Sequence, residues 1–144
     1  MPMNRETLKG ELIVDEDLRL KPYRCPAGKL TIGVGRNLDD RGITEAEAIM
    51  LLDNDIAIIE AELDHALPWW RTLPDAPARA LANMAFNMGV PRLLGFHRML
   101  EALQRGDYTT ASREARNSQW AKQVGIRSLR MGLRLLNLGG GKSA

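Results

Sequence analysis

Apolar positions change their spacing along the chain, and each change marks an element. Leu8, Leu12 and Ile13 share a helical face behind Asn4, a capping residue, which predicts a first helix over residues 4–16 with Glu16 at its C-terminal end. The following stretch alternates instead. Residues 19–24 and 29–35 read as two strands of a hairpin, turned by Pro26, Ala27 and Gly28. In the second strand Leu30, Ile32 and Val34 lie on one face, so Thr31 points to the other, among Gly33 and Gly35. Small residues on that face let a bulky ligand approach the backbone.

After "RNLDDRG", read as a loop, Thr44 and Glu47 form a capping box, and Leu52, Ile56, Ile59 and Leu63 recur at helical spacing. They predict a helix over residues 44–66, about 35 Å long, that stops before Pro68. A helix of that length in so small a protein is read as joining two lobes. Shorter helices follow. One is capped by Asp75, carries Leu81, Met84 and Met88 and ends at Gly89; others are expected over residues 96–105 and 110–116; Ile126, Leu129, Leu133 and Leu136 mark the last. The tail "GGGKSA" reads as a flexible end, and no internal repeat is visible.

A chain of 144 residues fits one compact unit, or two lobes sharing a helix. With a single cysteine no internal disulfide can form, so packing must hold the fold, and a reducing cytoplasm is tolerated. The N-terminus has no signal-peptide core and no stretch approaches about 18 apolar residues, so a soluble cytoplasmic product is expected. Charge is uneven. Residues 1–112 carry 13 Lys+Arg against 17 Asp+Glu, a net of −4, whereas residues 113–144 carry 7 against 1, a net of +6. A basic end suits an anionic polymer such as nucleic acid or the bacterial cell wall, or is simply a solvated helix face.

Five acids, Glu6, Glu11, Asp15, Glu16 and Asp17, crowd the first segment. Most acids are solvated surface. Glu16 stands apart because it lies where helix gives way to hairpin, so it can face Thr31 across a cleft. A glycosidase needs a carboxylic acid on one side of the sugar and a group handling water or an intermediate on the other. His65 and His97 lack metal-site spacing, so no metal is expected. Trp69 and Trp70 read as a linker pair packed between lobes, or else as a sugar-stacking platform, and Trp120 as core.

At "DEDLRLKPYRCPAGKLTIGVG" the chain resembles the phage-type lysozymes, the muramidases of tailed-phage endolysins. Glu16, Cys25 and Thr31 match the family's catalytic spacing, with Cys25 where many relatives keep aspartate, and Thr31 to Gly35 match its "TIGxG". "NMAFNMG" (83–89), Gly95 with Phe96, and "SQWAKQVGIRSLR" (118–130) resemble its helical lobe. The resemblance implies an α+β, mostly α, lysozyme-like fold in a single domain over 1–144. Its small lobe would cover about 17–43, the connecting helix 44–66, and the helical lobe about 74–137 together with the first helix.

The implied function is hydrolysis of the β-1,4 bond between N-acetylmuramic acid and N-acetylglucosamine in peptidoglycan, with inversion and without a cofactor. Glu16 would be the acid, and Cys25 and Thr31 would handle water. Gly33, Asn87, Ser118 and Arg127 would contact substrate. The resemblance further implies a monomer that waits in the host cytoplasm for a holin-type membrane protein to release it, then cuts the wall from the periplasm. Two departures are expected: residues 36–44 are short, so the small lobe should lack an extra hairpin and helix, and Arg36 should find its partner at Asp55. Two rival readings remain, a wall-binding module with little or no turnover, and a nucleic-acid binder using Arg127, Arg130 and Arg134.

Overall fold

The computed structural model describes residues 2–138; the tail expected to be flexible lies outside them. The described chain is mostly helical with one three-stranded antiparallel sheet, the α+β arrangement expected. It divides into two compact units, one up to Leu51 and one from Leu52.

The first unit opens with α1 (Arg5–Glu16), whose start is fixed by Asn4: its side chain accepts from the Thr7 amide at 3.0 Å. Strand β1 (Arg19–Arg24) pairs with β2 (Leu30–Gly33), Tyr23 opposite Thr31 and Arg24 opposite Leu30. The segment expected to be a loop adds two elements. A short strand, β3 (Arg36–Asn37), pairs Ile32 with Arg36, and a single-turn helix, α2 (Leu38–Arg41), is capped by Asn37 through the Asp40 amide at 3.0 Å. The expectation of a small lobe without further strand or helix is therefore corrected. The cause is local: Gly35, at φ +67°, permits the tight return from β2, and Asn37 offers the next amides a cap.

Polar ties hold this unit. Asp39 accepts from the Leu30 amide at 2.7 Å and from Arg24 at 3.3 Å, and Lys29 meets Asp40 at 3.0 Å. Arg36 was expected to find Asp55; it instead clasps Glu47, with both terminal nitrogens 2.8 Å from its carboxylate. Glu47 also closes the anticipated capping box, accepting from the Thr44 amide at 2.8 Å while its own amide donates to Thr44 Oγ1 at 3.1 Å. The Arg36 guanidinium above all, then the Thr44 amide and hydroxyl, pull the Glu47 carboxyl down to about 2. Among the described residues of this unit, Thr31 is the one that is buried.

The long helix, α3 (Glu45–Ala66), passes from the first unit into the second. Only the far end of its periodic face is packed away. Leu63 is fully buried and Ile59 leans on the core, while Leu52 and Ile56 stay about 40% exposed (39% and 41%).

The second unit holds the apolar core, built from α4 (Asp75–Met88), α5 (Val90–Leu93), α6 (His97–Gln104), α7 (Tyr108–Arg116), α8 (Gln119–Val124) and α9 (Ile126–Leu135). Pro74, not Asp75, stands at the cap of α4, and Asp75 pairs one turn on with Arg79 at 2.8 Å. The tryptophans expected between lobes belong to this core. Trp70 is buried in a 3-10 turn and donates to Asp64 at 2.7 Å, and Trp69 packs beside it.

The last helix forms where expected, but the residues that mark it are not those it buries. Ser128, Met131, Gly132 and Leu135 face inward, while Ile126, Leu129 and Leu133 face out. Ser112 on α7 donates to the Gly132 carbonyl at 2.8 Å, a close approach that a larger side chain at 132 would block. Ser128 and Gly132 join Met131 and Leu135 on the inward face, while the equally apolar Leu129 and Leu133 stay outside.

Candidate active site

Asp17 ends α1 by adopting φ 71°, its amide donating to the Ile13 carbonyl at 2.9 Å and its carboxylate accepting from Leu18 at 3.0 Å. A non-glycine residue at positive φ is uncommon, and aspartate is one of the side chains that tolerates it. Glu16 is thereby the last helical residue, set against the start of the sheet.

Across from it the β1–β2 turn shapes the cysteine's surroundings. The Cys25 amide donates to the Lys29 carbonyl at 2.9 Å and the Gly28 amide to the Cys25 carbonyl at 2.8 Å, with Gly28 at φ +81°. This folds the Lys29 backbone amide toward the half-buried thiol, and that amide chiefly holds the Cys25 thiol below its ordinary value. Partial burial opposes it, and the Ala27 amide adds to it. The neighbouring cations are engaged elsewhere, Arg24 with Asp39 and Lys29 Nζ with Asp40. Backbone dipoles act on the thiol, not side-chain charge.

Thr31 Oγ1 donates to the Lys29 carbonyl at 2.9 Å. With its proton so placed, the hydroxyl keeps lone pairs to accept from a ligand or a water. Glu16, Cys25 and Thr31 all line one cavity of about 370 Å³, together with Arg19, Tyr23, Pro26, Gly35 and Asn37. Arg19 sits 4.3 Å over the Tyr23 ring and 3.6 Å from Asp17, which fixes that wall.

Sequence reasoning missed Gly35. A Cβ there would come within 2.9 Å of Glu16 Oε2, so only glycine leaves the carboxylate its place. Gly33, also at positive φ (+70°), has open space where a side chain would be. The alternation of glycines at 33 and 35 was the available signal, but it did not distinguish their two tasks.

Residues 14–134 match the family model for phage lysozyme. The chain belongs to the phage lysozyme family. Its relatives include the "Pre-baseplate central spike protein Gp5" of Enterobacteria phage T4, 30% identical over 150 residues, covering 85% of this chain and 26% of that protein. The chain thus spans about a quarter of that relative's length. An "Endolysin" of Acyrthosiphon pisum secondary endosymbiont phage 1 is 34% identical over 131 residues, covering 87% of each chain. "Probable T4-type lysozyme 1" of Dictyostelium discoideum is 25% identical over 154 residues, covering 87% of this chain and 91% of that one.

In this phage lysozyme family member the expected substrate residues of the second unit lie at separate places. Asn87 accepts from the buried Trp120 indole at 2.7 Å, and Trp120 meets Phe96 edge to face at 6.5 Å, so Trp120 is core as expected. Ser118 caps α8, accepting from Ala121 at 3.1 Å, and lines a hollow of about 440 Å³ with Arg92, His97 and Glu114. Arg127 holds Asn83, a partner the sequence did not suggest, through two bonds of 3.0 and 2.7 Å. It lines a second, largely aliphatic hollow of about 420 Å³ with Leu52, Ile56 and Phe86. Among the described residues no group of three or more His, Cys, Asp or Glu could hold a metal, and no helix is long and apolar enough to cross a membrane.

Proposed function

We propose that the chain hydrolyses the β-1,4 bond between N-acetylmuramic acid and N-acetylglucosamine in bacterial peptidoglycan. The observation that carries the reading is the convergence of Glu16, Cys25 and Thr31 on one cavity in a chain of the phage lysozyme family. Glu16 donates its proton to the glycosidic oxygen as the bond to the anomeric carbon breaks. Thr31 Oγ1 accepts from a water held on the opposite face of the sugar, and that water attacks the same carbon with inversion. The water's proton leaves toward the Cys25 sulfur, whose thiolate is favoured by the Lys29 amide.

Gly33 gives the saccharide access to the backbone, and Asn87, Ser118 and Arg127 supply polar contacts from the helical unit. The basic C-terminal end draws in the anionic wall, an attraction that weakens with salt. The enzyme works as a monomer without cofactor. It waits in the host cytoplasm until a holin-type membrane protein releases it to the periplasm.

Clearing of permeabilised Gram-negative cells tests this. Glu16→Gln should slow clearing by at least ~100-fold, the usual scale of general acid catalysis, with an unchanged melting temperature. A folded variant keeping more than about a tenth of the rate would remove Glu16 from the acid role.

A further inference from the structure

Among the described residues that line the Glu16 cavity, the cation is Arg19, and the proposed hydrolysis gives it no task. It opens β1, four residues before Tyr23, a separation of about 13 Å along a regular strand. The β1–β2 register shifts between these two residues, an irregularity of the kind that re-aims side chains, and the guanidinium carbon lies 4.3 Å over the Tyr23 ring. Stacking occupies the face of a guanidinium and leaves open its edge, where the N–H groups point. Asp17 is the ion-pair partner of Arg19, but its carboxylate stands 3.6 Å from Nε, beyond hydrogen-bond reach, and the two side chains are 52% and 71% exposed. No hydrogen bond among the described residues uses the terminal nitrogens. The other arginines of the sheet are engaged: Arg24 donates to the Gly28 carbonyl and Asp39, and Arg36 to the Gly42 carbonyl and Glu47.

A planar fork of N–H groups held flat on a ring matches a ligand with two coplanar oxygens, and a carboxylate gripped by both terminal nitrogens fits it best. A wall strand offers carboxylates at the muramic acid. One is its own lactyl group, free where the strand carries no peptide; the others belong to the stem peptide where it does. We infer that Arg19, on the hydrolysis reading given above, is a specificity residue that seats a carboxylate of the substrate at the wall of the Glu16 cavity. Glu16, Cys25 and Thr31 act on the bond, and Arg19 selects the sugar presented to them. Chitin, whose N-acetylglucosamine units carry no carboxylate, would leave the fork unfilled.

Titration calorimetry with the disaccharide N-acetylglucosaminyl-N-acetylmuramic acid, with and without its stem peptide, tests this. Neither form contains the bond to be cut, so binding is read without turnover. Each is compared with its methyl ester, and both with di-N-acetylchitobiose. At least one acid should bind about tenfold more tightly than its ester, and the one that does so identifies the carboxylate. Arg19→Gln should bind acid and ester alike, at the parent's affinity for the ester. Arg19→Lys, which keeps a cation without the fork, should retain part of the preference. On wall fragments Arg19→Gln should raise KM about tenfold with kcat within about twofold. Equal affinity of the parent for acids and esters, or an acid preference that survives in Arg19→Gln, would overturn the proposal. So would a loss shared by acid, ester and chitobiose in both variants, which would assign Arg19 to holding Tyr23. An acid preference in a protein that clears no cells would sink the hydrolysis reading and leave Arg19 its ligand, whereas clearing without that preference would sink the role of Arg19 alone.

Discussion

The two units of this protein are held by different forces. The helical unit closes over a continuous apolar core running from Leu63 through Met84 and Trp120 to Leu135. The sheet unit buries a single described side chain, Thr31, and relies on Asp39, Asp40, Glu47 and the side-chain caps of Asn4, Asn37 and Thr44 to fix its turns. Burial of apolar surface is insensitive to pH and salt, whereas exposed ion pairs and carboxylate caps are sensitive to both. The candidate chemistry sits in the second kind of structure. What this teaches is that the Glu16 cavity is shaped by directional polar bonds, while the apolar packing is concentrated in the helical unit.

The sharpest contrast should come from truncating each unit's aliphatics. Leu81→Ala or Met84→Ala, at fully buried positions, should cost about 2–5 kcal/mol in denaturant unfolding. Val14→Ala, 83% exposed on α1, should stay within about 0.5 kcal/mol. Equal losses would erase the distinction between the units.

Next in size is Gly35→Ala. The added methyl would crowd Glu16 Oε2 and must adopt a strained φ, so activity should fall by roughly 10- to 100-fold, as small misplacements of reacting groups do. Gly33→Ala shares the positive φ but meets no atom within 4 Å. Steady-state rates on soluble wall fragments separate the two: comparable losses would mean that backbone strain or lost saccharide access, not the Glu16 contact, matters.

Acid should act on the sheet unit through Glu47. Its carboxyl titrates at about 2 in the fold against an ordinary 4.5, so its clasp with Arg36 stabilises fully above 4.5 and is lost as pH falls from there to 2. Amide protection around β3 and α2, taken relative to the intrinsic exchange rate at each pH, should therefore fall across that window, and Glu47→Gln should flatten the fall. An unchanged pH profile in the variant would place the acid sensitivity elsewhere.

Smaller effects should separate the expected site residues. Arg127→Ala should lower activity several-fold more than Arg134→Ala, since Arg127 is bonded to Asn83 and Arg134 only brushes Met131 at 3.8 Å. Cys25→Asp should stay within a few-fold of the parent, and Cys25→Ala should be impaired but not dead, because Thr31 still accepts from water. Full activity of Cys25→Ala together with full activity after thiol alkylation would leave the cysteine a bystander.

How legible these features were depends on whether a residue's task is local. Asn4, Thr44 and the bounds of β1 were readable because capping and alternation are contests settled within a few residues. β3 and α2 were not, since "RNLDDRG" carries turn formers whose caps and a two-residue strand leave no period to detect. Arg36 was assigned the wrong acid because a capping-box glutamate is expected to be occupied by its own threonine, and Glu47 serves both. On α9, hydropathy pointed to Leu129 and Leu133, but close helix packing selected Ser128 and Gly132, a steric choice made by α7. Glu16, Cys25 and Thr31 were legible through spacing, whereas the Lys29 amide and the Gly35 contact that condition them arise only once the turns close.

The central claim is that Glu16 and a water held by Thr31 and Cys25 act on opposite faces of the sugar. Proton NMR of freshly cut wall oligosaccharides, read before the new ends equilibrate, tests it most directly. The account predicts that reducing N-acetylmuramic acid ends form first as the α anomer, inverted from the β bond. Ends that form first as β, or non-reducing anhydro ends, would contradict it, because the first needs a covalent nucleophile and the second needs no water.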